Sequence, residues 1–219
     1  MFVVMTTKLF SNRLDAAERL IPILRENIDD DSIIVAIPRG AVPMGFHIAK
    51  ALNLPFDIIL VKKISLPENP ELAVGSVSIN GRVIDPEFAV RRAYIDTETK
   101  RLQQLLKEQE SLFRYEHPAI DLCDKTVIVI DDGMATGNSM ISAIQAVRQQ
   151  HPSKVIVAIP VSAADALEKV RRLADDVVCP HVPSNFYSVA DFYGDFTQVS
   201  DQQVKVILGN SKYLERKRI

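Results

Sequence analysis

Cys123 and Cys179 are the two cysteines in 219 residues. They lie far apart and share no metal spacing. That excludes a disulfide-stapled scaffold or a zinc finger and suits reduced thiols. An excess of one charge is missing too. The 26 basic and 28 acidic residues leave a net charge of −2, so no bulk field favours nucleic acid. No apolar run approaches the roughly 18 residues of a membrane span. The apolar start, Met1 to Met5, is too short for a signal-peptide core, and no small-residue cleavage site follows it. Both common nucleotide loops are absent: no GxGxxG follows a strand, and no GxxxxGK[ST] occurs. No two of the four histidines share ligand spacing. These absences lead to the expectation of a cytoplasmic protein that partners neither nucleic acid nor membrane and carries no metal-ligand cluster.

What is present alternates. Short β-branched runs at 33–37, 57–61, 127–130, 155–159 and 177–179 are separated by longer stretches with helical spacing. Nearly continuous apolar strands are those buried on both faces. The expectation is therefore an α/β fold with a doubly wound, mainly parallel central sheet flanked by helices, as a single domain over 1–219. A helix over 12–26 contains Pro22, which would kink or split it. Pro43 suits the first turn of a helix ending at Leu52. Leu102, Leu105, Leu106, Leu112 and Phe113 mark a helix capped near Asp96 or Thr97, within a helical insertion at about 86–116. Two segments interrupt the alternation. Residues 65–85 read as a loop and then a hairpin turning at Asn80-Gly81. Residues 180–208 are aromatic-rich and close with a capping box, Ser200 to Gln203, opening a short helix.

The chemically informative stretch is 127–140. An apolar strand ends in Asp131-Asp132. Gly133-Met134-Ala135-Thr136-Gly137-Asn138-Ser139 follows and leads into a helix whose apolar stripe is Met140, Ile144 and Val147. Backbone N–H groups and the positive end of the helix dipole would converge there on an anion. Two acids beside an anion site would repel a bare phosphate. They suit a ligand that also offers hydroxyls or a bound cation, such as a sugar phosphate.

That segment resembles the phosphoribosyl-diphosphate (PRPP) signature of type I phosphoribosyltransferases, and the likeness extends over about 8–208. The resemblance implies roles for individual residues. Ala135, Thr136, Gly137, Asn138 and Ser139 would hold the 5-phosphate. Asp131 and Asp132 would contact the ribose hydroxyls and stabilise charge on the ring. Arg39 and Gly40, in a Pro38-Arg39-Gly40 loop whose Pro38–Arg39 peptide is often cis in this family, would bind pyrophosphate with Lys62 and Lys63. Residues 65–78 resemble the mobile loop that closes the active site. The segment around Phe186 resembles a C-terminal hood, in which Phe186 would stack on the base.

Two departures narrow the acceptor. Ala135 stands where 6-oxopurine enzymes carry an Asp, and Ile159-Pro160-Val161-Ser162 offers no Lys for a 6-oxo group. The loop is nearer to adenine-type relatives, in which a Glu from the mobile loop approaches the reacting nitrogen. Glu71 is the candidate here. The implied activity is transfer of the 5-phosphoribosyl group from PRPP to a nitrogenous base with release of pyrophosphate. Magnesium would be carried mainly by PRPP itself, and relatives of this kind are often homodimers. A PRPP-sensing module on the same fold, without turnover, is the alternative.

Overall fold

The computed structural model describes residues 8–85, 90–114 and 118–215, the side chains of 70, 71 and 212–215 excepted. Its centre is a five-stranded parallel sheet in the order β2-β1-β6-β7-β8. These strands are β1 (Ser32–Ala36), β2 (Phe56–Ile58), β6 (Thr126–Ile130), β7 (Lys154–Ala158) and β8 (Asp176–Val178). Every residue of β1 and β6 is buried. Their side chains divide by alternation. Ile34, Ala36, Ile128 and Ile130 join one core with α1 (Arg13–Arg25), α2 (Ala41–Leu52), α3 (Arg92–Phe113) and α6 (Asp201–Glu215). Ile33, Val35, Val127 and Val129 join the opposite core with α4 (Asn138–Arg148) and α5 (Ala164–Arg171). The α/β fold expected from the sequence is thus present, with the sheet covered on both faces.

A second, antiparallel sheet, β3-β4-β5, joins β3 (Val61–Leu66), β4 (Asn69–Ser78) and β5 (Arg82–Ile84). It corrects two expectations. The single strand expected over 57–61 is divided: β2 ends at Ile58, and Val61 already belongs to the other sheet. The segment expected as a loop over 65–78 is mostly strand, because Ile64, Val74 and Val77 are fully buried against the core that includes Leu102 and Leu106 of α3. Register shifts on either side of Ser65 mark an irregularity in that pairing. The hairpin turn at Asn80-Gly81 is as expected, with the Ser78 N–H donating to the Gly81 carbonyl at 2.9 Å.

The helix ends differ in detail. Asn12 caps α1 by accepting from the N–H groups of Leu14 and Asp15, and α1 runs on through Pro22. Helix α3 starts at Arg92, a turn earlier than the expected cap, because Ile95 is already buried and Asp96 is engaged by Arg82 at 2.7 Å. At its other end Arg114 pairs with Asp57 of β2 at 2.6 Å, the two side chains only 9% and 7% exposed. Parts of the expected insertion, 86–89 and 115–117, lie outside the described residues. The capping box at Ser200 and Gln203 forms in both directions. The helix that it opens has 15 residues rather than a few.

Candidate active site

The sheet order creates the site. From the neighbours β1 and β6 the chain winds outward in opposite directions, to β2 on one side and to β7 and β8 on the other. In open α/β sheets, ligands bind beyond the carboxyl ends of strands at such a switch point. Ala36 pairs with Ile130 in register, so the loops following these strands leave side by side. One loop carries Ile37-Pro38-Arg39-Gly40 and the other Asp131-Asp132-Gly133.

The two acids are fixed by different partners. Asp131 accepts the N–H of Asp132 through Oδ1 at 2.9 Å. Asp132 accepts from Nε of Arg13 through Oδ2 at 2.8 Å, with side-chain exposures of 12% for Arg13 and 13% for Asp132. The hydroxyl of Tyr193 donates to the Asp132 carbonyl. Each carboxylate therefore keeps one oxygen without a hydrogen bond from the described residues, directed by a fixed partner on the other. Burial, and secondly the charge of Asp132, push the carboxyl of Asp131 well above the usual range. Burial also raises Asp132, while the Arg13 guanidinium pulls it down. Burial pushes the phenol of Tyr193 up, which keeps it a donor.

Beyond the acids, Met134 anchors the loop. Its N–H donates to Val161 at 3.0 Å, and its carbonyl accepts from Ala163 at 2.9 Å. The loop then rises to exposed Ala135 and Thr136 and enters α4 at Gly137, whose φ of +82° favours glycine. No side chain caps α4, so the N–H groups of its first turn are available to an outside acceptor. Ser139 is exposed beside them. Ala135, Thr136, Gly137, Asn138 and Ser139 thus lie together at one helix mouth.

The basic side is only partly gathered. The Pro38–Arg39 peptide is cis. Arg39 and Lys62 line one open cleft with Asp201 and residues of α3, and Arg39 reaches Asp201 at 3.2 Å. Lys63 alternates to the other face of β3, opposite Ser76, whose hydroxyl donates to Gln145 of α4 at 2.6 Å. The two lysines adjacent in sequence thus serve different sides of the strand. Phe186 packs against Phe192, ring centroids 5.1 Å apart, while its neighbour Tyr187 is 89% exposed. The side chain of Glu71 lies outside the described residues. Among the described residues, no group of three His, Cys, Asp or Glu side chains is arranged to hold a metal ion. No described helix is long and apolar enough to cross a membrane.

The profile of the family described as "Phosphoribosyl transferase domain" matches residues 6–197, which include both loops. The chain belongs to that family. Two Mycobacterium tuberculosis proteins, MT0597 and Rv0571c, both provisionally named phosphoribosyl transferases, are each 34% identical to this domain over 207 residues. The matches cover 92% of this chain and 46% of those proteins, so the chain spans about half the length of the curated relatives it matches. The solved structure of TT1426 from Thermus thermophilus superposes with a TM-score of 0.86 at 32% identity. That match covers 91% of this phosphoribosyl transferase domain and 97% of TT1426.

Sequence reasoning missed Arg13 and also Tyr193, which lies within the aromatic-rich segment 180–208. Each meets Asp132 across a long stretch of chain, Arg13 at a separation of 119 residues. A cation directly following the cap Asn12 was the available signal. Such a residue is out of place at a helix start, where the dipole disfavours positive charge.

Proposed function

We propose that this domain transfers the 5-phosphoribosyl group of PRPP to a nitrogen nucleophile, releasing pyrophosphate. The observation that carries the reading is the junction of Asp131-Asp132, each with an unused carboxylate oxygen, and the uncapped mouth of α4. The 5-phosphate would accept from the first-turn N–H groups of α4 and from the hydroxyls of Thr136 and Ser139. The free oxygens of Asp131 and Asp132 would accept from the ribose hydroxyls. As the anomeric carbon–oxygen bond breaks, those carboxylates stabilise the positive charge that grows on the ring. Arg39, Gly40 and Lys62 would face the departing pyrophosphate, with Lys63 approaching from the α4 side. Catalysis of this kind is electrostatic and positional.

Magnesium keeps several waters and prefers substrate oxygens to an all-protein cage. It would be held by the diphosphate and would supply charge neutralisation to the leaving group. Glu71, on the segment that precedes Val74, is proposed to approach the nucleophile.

A second reading, a PRPP sensor without turnover, draws on Ala135. Its exposed methyl group places no titratable side chain at the tip of the loop. One assay separates the two readings: pyrophosphate release from PRPP with adenine, hypoxanthine, guanine, xanthine, uracil and orotate in turn. Release with one of these supports the transferase. Saturable PRPP binding without release in any mixture supports the sensor.

A further inference from the structure

Arg13 occupies the first position of α1, directly after the cap Asn12. Local rules favour an acid there, since a cation opposes the helix dipole. The side chain is nonetheless 12% exposed rather than solvated. Residues that break a local rule tend to be those a site requires. Its guanidinium has a partner in each direction. Nε donates to Oδ2 of Asp132 at 2.8 Å, and Nη1 donates to the carbonyl of Thr197 at 2.8 Å. The guanidinium carbon sits 3.9 Å from the centroid of the Phe196 ring, within cation–π range. Nη2 lies 3.3 Å from where a Cβ on Gly40 would stand. One planar group therefore touches the ribose acid, the pyrophosphate loop and the hood. Tyr193 completes the circuit: its hydroxyl donates to the Asp132 carbonyl, and its ring lies 4.9 Å from that of Phe196.

We propose that Arg13 is a positioning residue that orients Asp132 toward the ribose and makes this orientation depend on the docked hood segment 193–197. The inference rests on the PRPP reading of the site. The charged and titratable groups around Asp132 come from every neighbouring element. Arg13 of α1 and Asp131 act on Asp132 directly, Tyr193 faces it from the 193–197 segment, Asp15 acts in turn on Tyr193, and Asp195 feels Arg13. Within that set Arg13 is the cation hydrogen-bonded to Asp132. A lysine would keep the charge but could not span Asp132, Thr197 and Phe196 with one rigid fork.

The test uses Arg13→Gln, Arg13→Lys and Phe196→Leu, each checked for folding by thermal melt. Two measurements are made: an NMR titration of the Asp131–Asp132 carboxyl carbons, and kcat/KM for PRPP as a function of pH. The pair titrates with shared midpoints. Arg13→Gln raises the lower midpoint, moves the acid limb of kcat/KM to higher pH and lowers kcat/KM at least tenfold. Arg13→Lys restores the midpoint toward wild type yet leaves kcat/KM depressed at least threefold, and Phe196→Leu behaves in the same way. A folded Arg13→Gln variant with an unmoved midpoint and wild-type kcat/KM overturns the proposal. Should Arg13→Gln fail to fold, wild-type kcat/KM in both Arg13→Lys and Phe196→Leu overturns it. If the wild-type protein releases no pyrophosphate with any acceptor, the transferase reading is what fails. The NMR titration then still decides whether Arg13 governs Asp132.

Discussion

Gly40 makes room for Asp132: a Cβ placed on Gly40 would lie 2.2 Å from Oδ2 of Asp132 and 3.1 Å from its Cγ. The backbone of Gly40 is right-handed helical, with φ −57° and ψ −41°, a conformation that any residue adopts. The requirement for glycine is therefore the neighbouring carboxylate and not the chain conformation. Gly40→Ala should displace Asp132 from Arg13 and weaken PRPP binding at least tenfold, about 1.4 kcal/mol. The thermal melt should stay cooperative. Calorimetric titration of the variant checks this, and wild-type affinity would contradict it.

Asp131 gives a pH-dependent prediction. Burial, followed by the charge of Asp132, raises its folded-state carboxyl above the ordinary value near 4. Between the ordinary and the folded-state value, the folded state therefore holds a proton that the unfolded chain has already lost. Stability contributed by this group is present below the ordinary carboxylate range and falls as pH rises through the folded-state value. Asp131→Asn removes that loss. The variant should melt above wild type at pH 8, with the difference closing toward pH 4. Melting below wild type throughout would contradict the assignment.

The split of Lys62 from Lys63 predicts unequal effects. Lys62 lines the cleft with Arg39, whereas Lys63 lies on the face of β3 toward α4. Lys62→Met should raise the KM for PRPP about tenfold, a loss on the order of 1.4 kcal/mol. Lys63→Met should raise it by a smaller factor. Equal effects in steady-state pyrophosphate release would contradict this division.

The Arg114–Asp57 pair is a control for stability apart from chemistry. It ties the end of α3 to β2. Asp57 also accepts from the N–H groups of Ile58 at 2.7 Å and Ile120 at 2.8 Å. Removing one partner of a buried pair leaves an uncompensated charge and typically costs about 3–5 kcal/mol. Arg114→Ala should lower the urea midpoint accordingly. Activity of the protein that remains folded should be retained.

What the sequence could show followed from locality. The strand leading to Asp131-Asp132 and the helix mouth from Gly137 are contiguous, so their arrangement was readable from one stretch of chain. The same holds for the box at Ser200. The strand over 69–78 was not readable, because Val74 and Val77 are strand residues by virtue of burial against α3, a tertiary effect that overrides loop-like composition. The role of Arg13 was invisible for a related reason. Its meeting with Asp132 depends on α1 packing beside the switch point of the sheet, and the local cue, a cation directly after the helix cap, marks the residue without naming its partner. Strand alternation at Lys62 and Lys63 was available in principle. Using it required knowing that β3 begins at Val61 in a second sheet rather than extending β2.

The central claim is that the acid pair and the helix mouth together grip a doubly phosphorylated pentose. It is tested most directly by isothermal titration of PRPP with excess magnesium into the wild-type protein and into the Asp131→Asn, Asp132→Asn double variant. The account predicts saturable, one-site heat for the wild-type protein and its loss in a double variant that still melts cooperatively. No heat from the wild-type protein, or undiminished heat from the double variant, would contradict it.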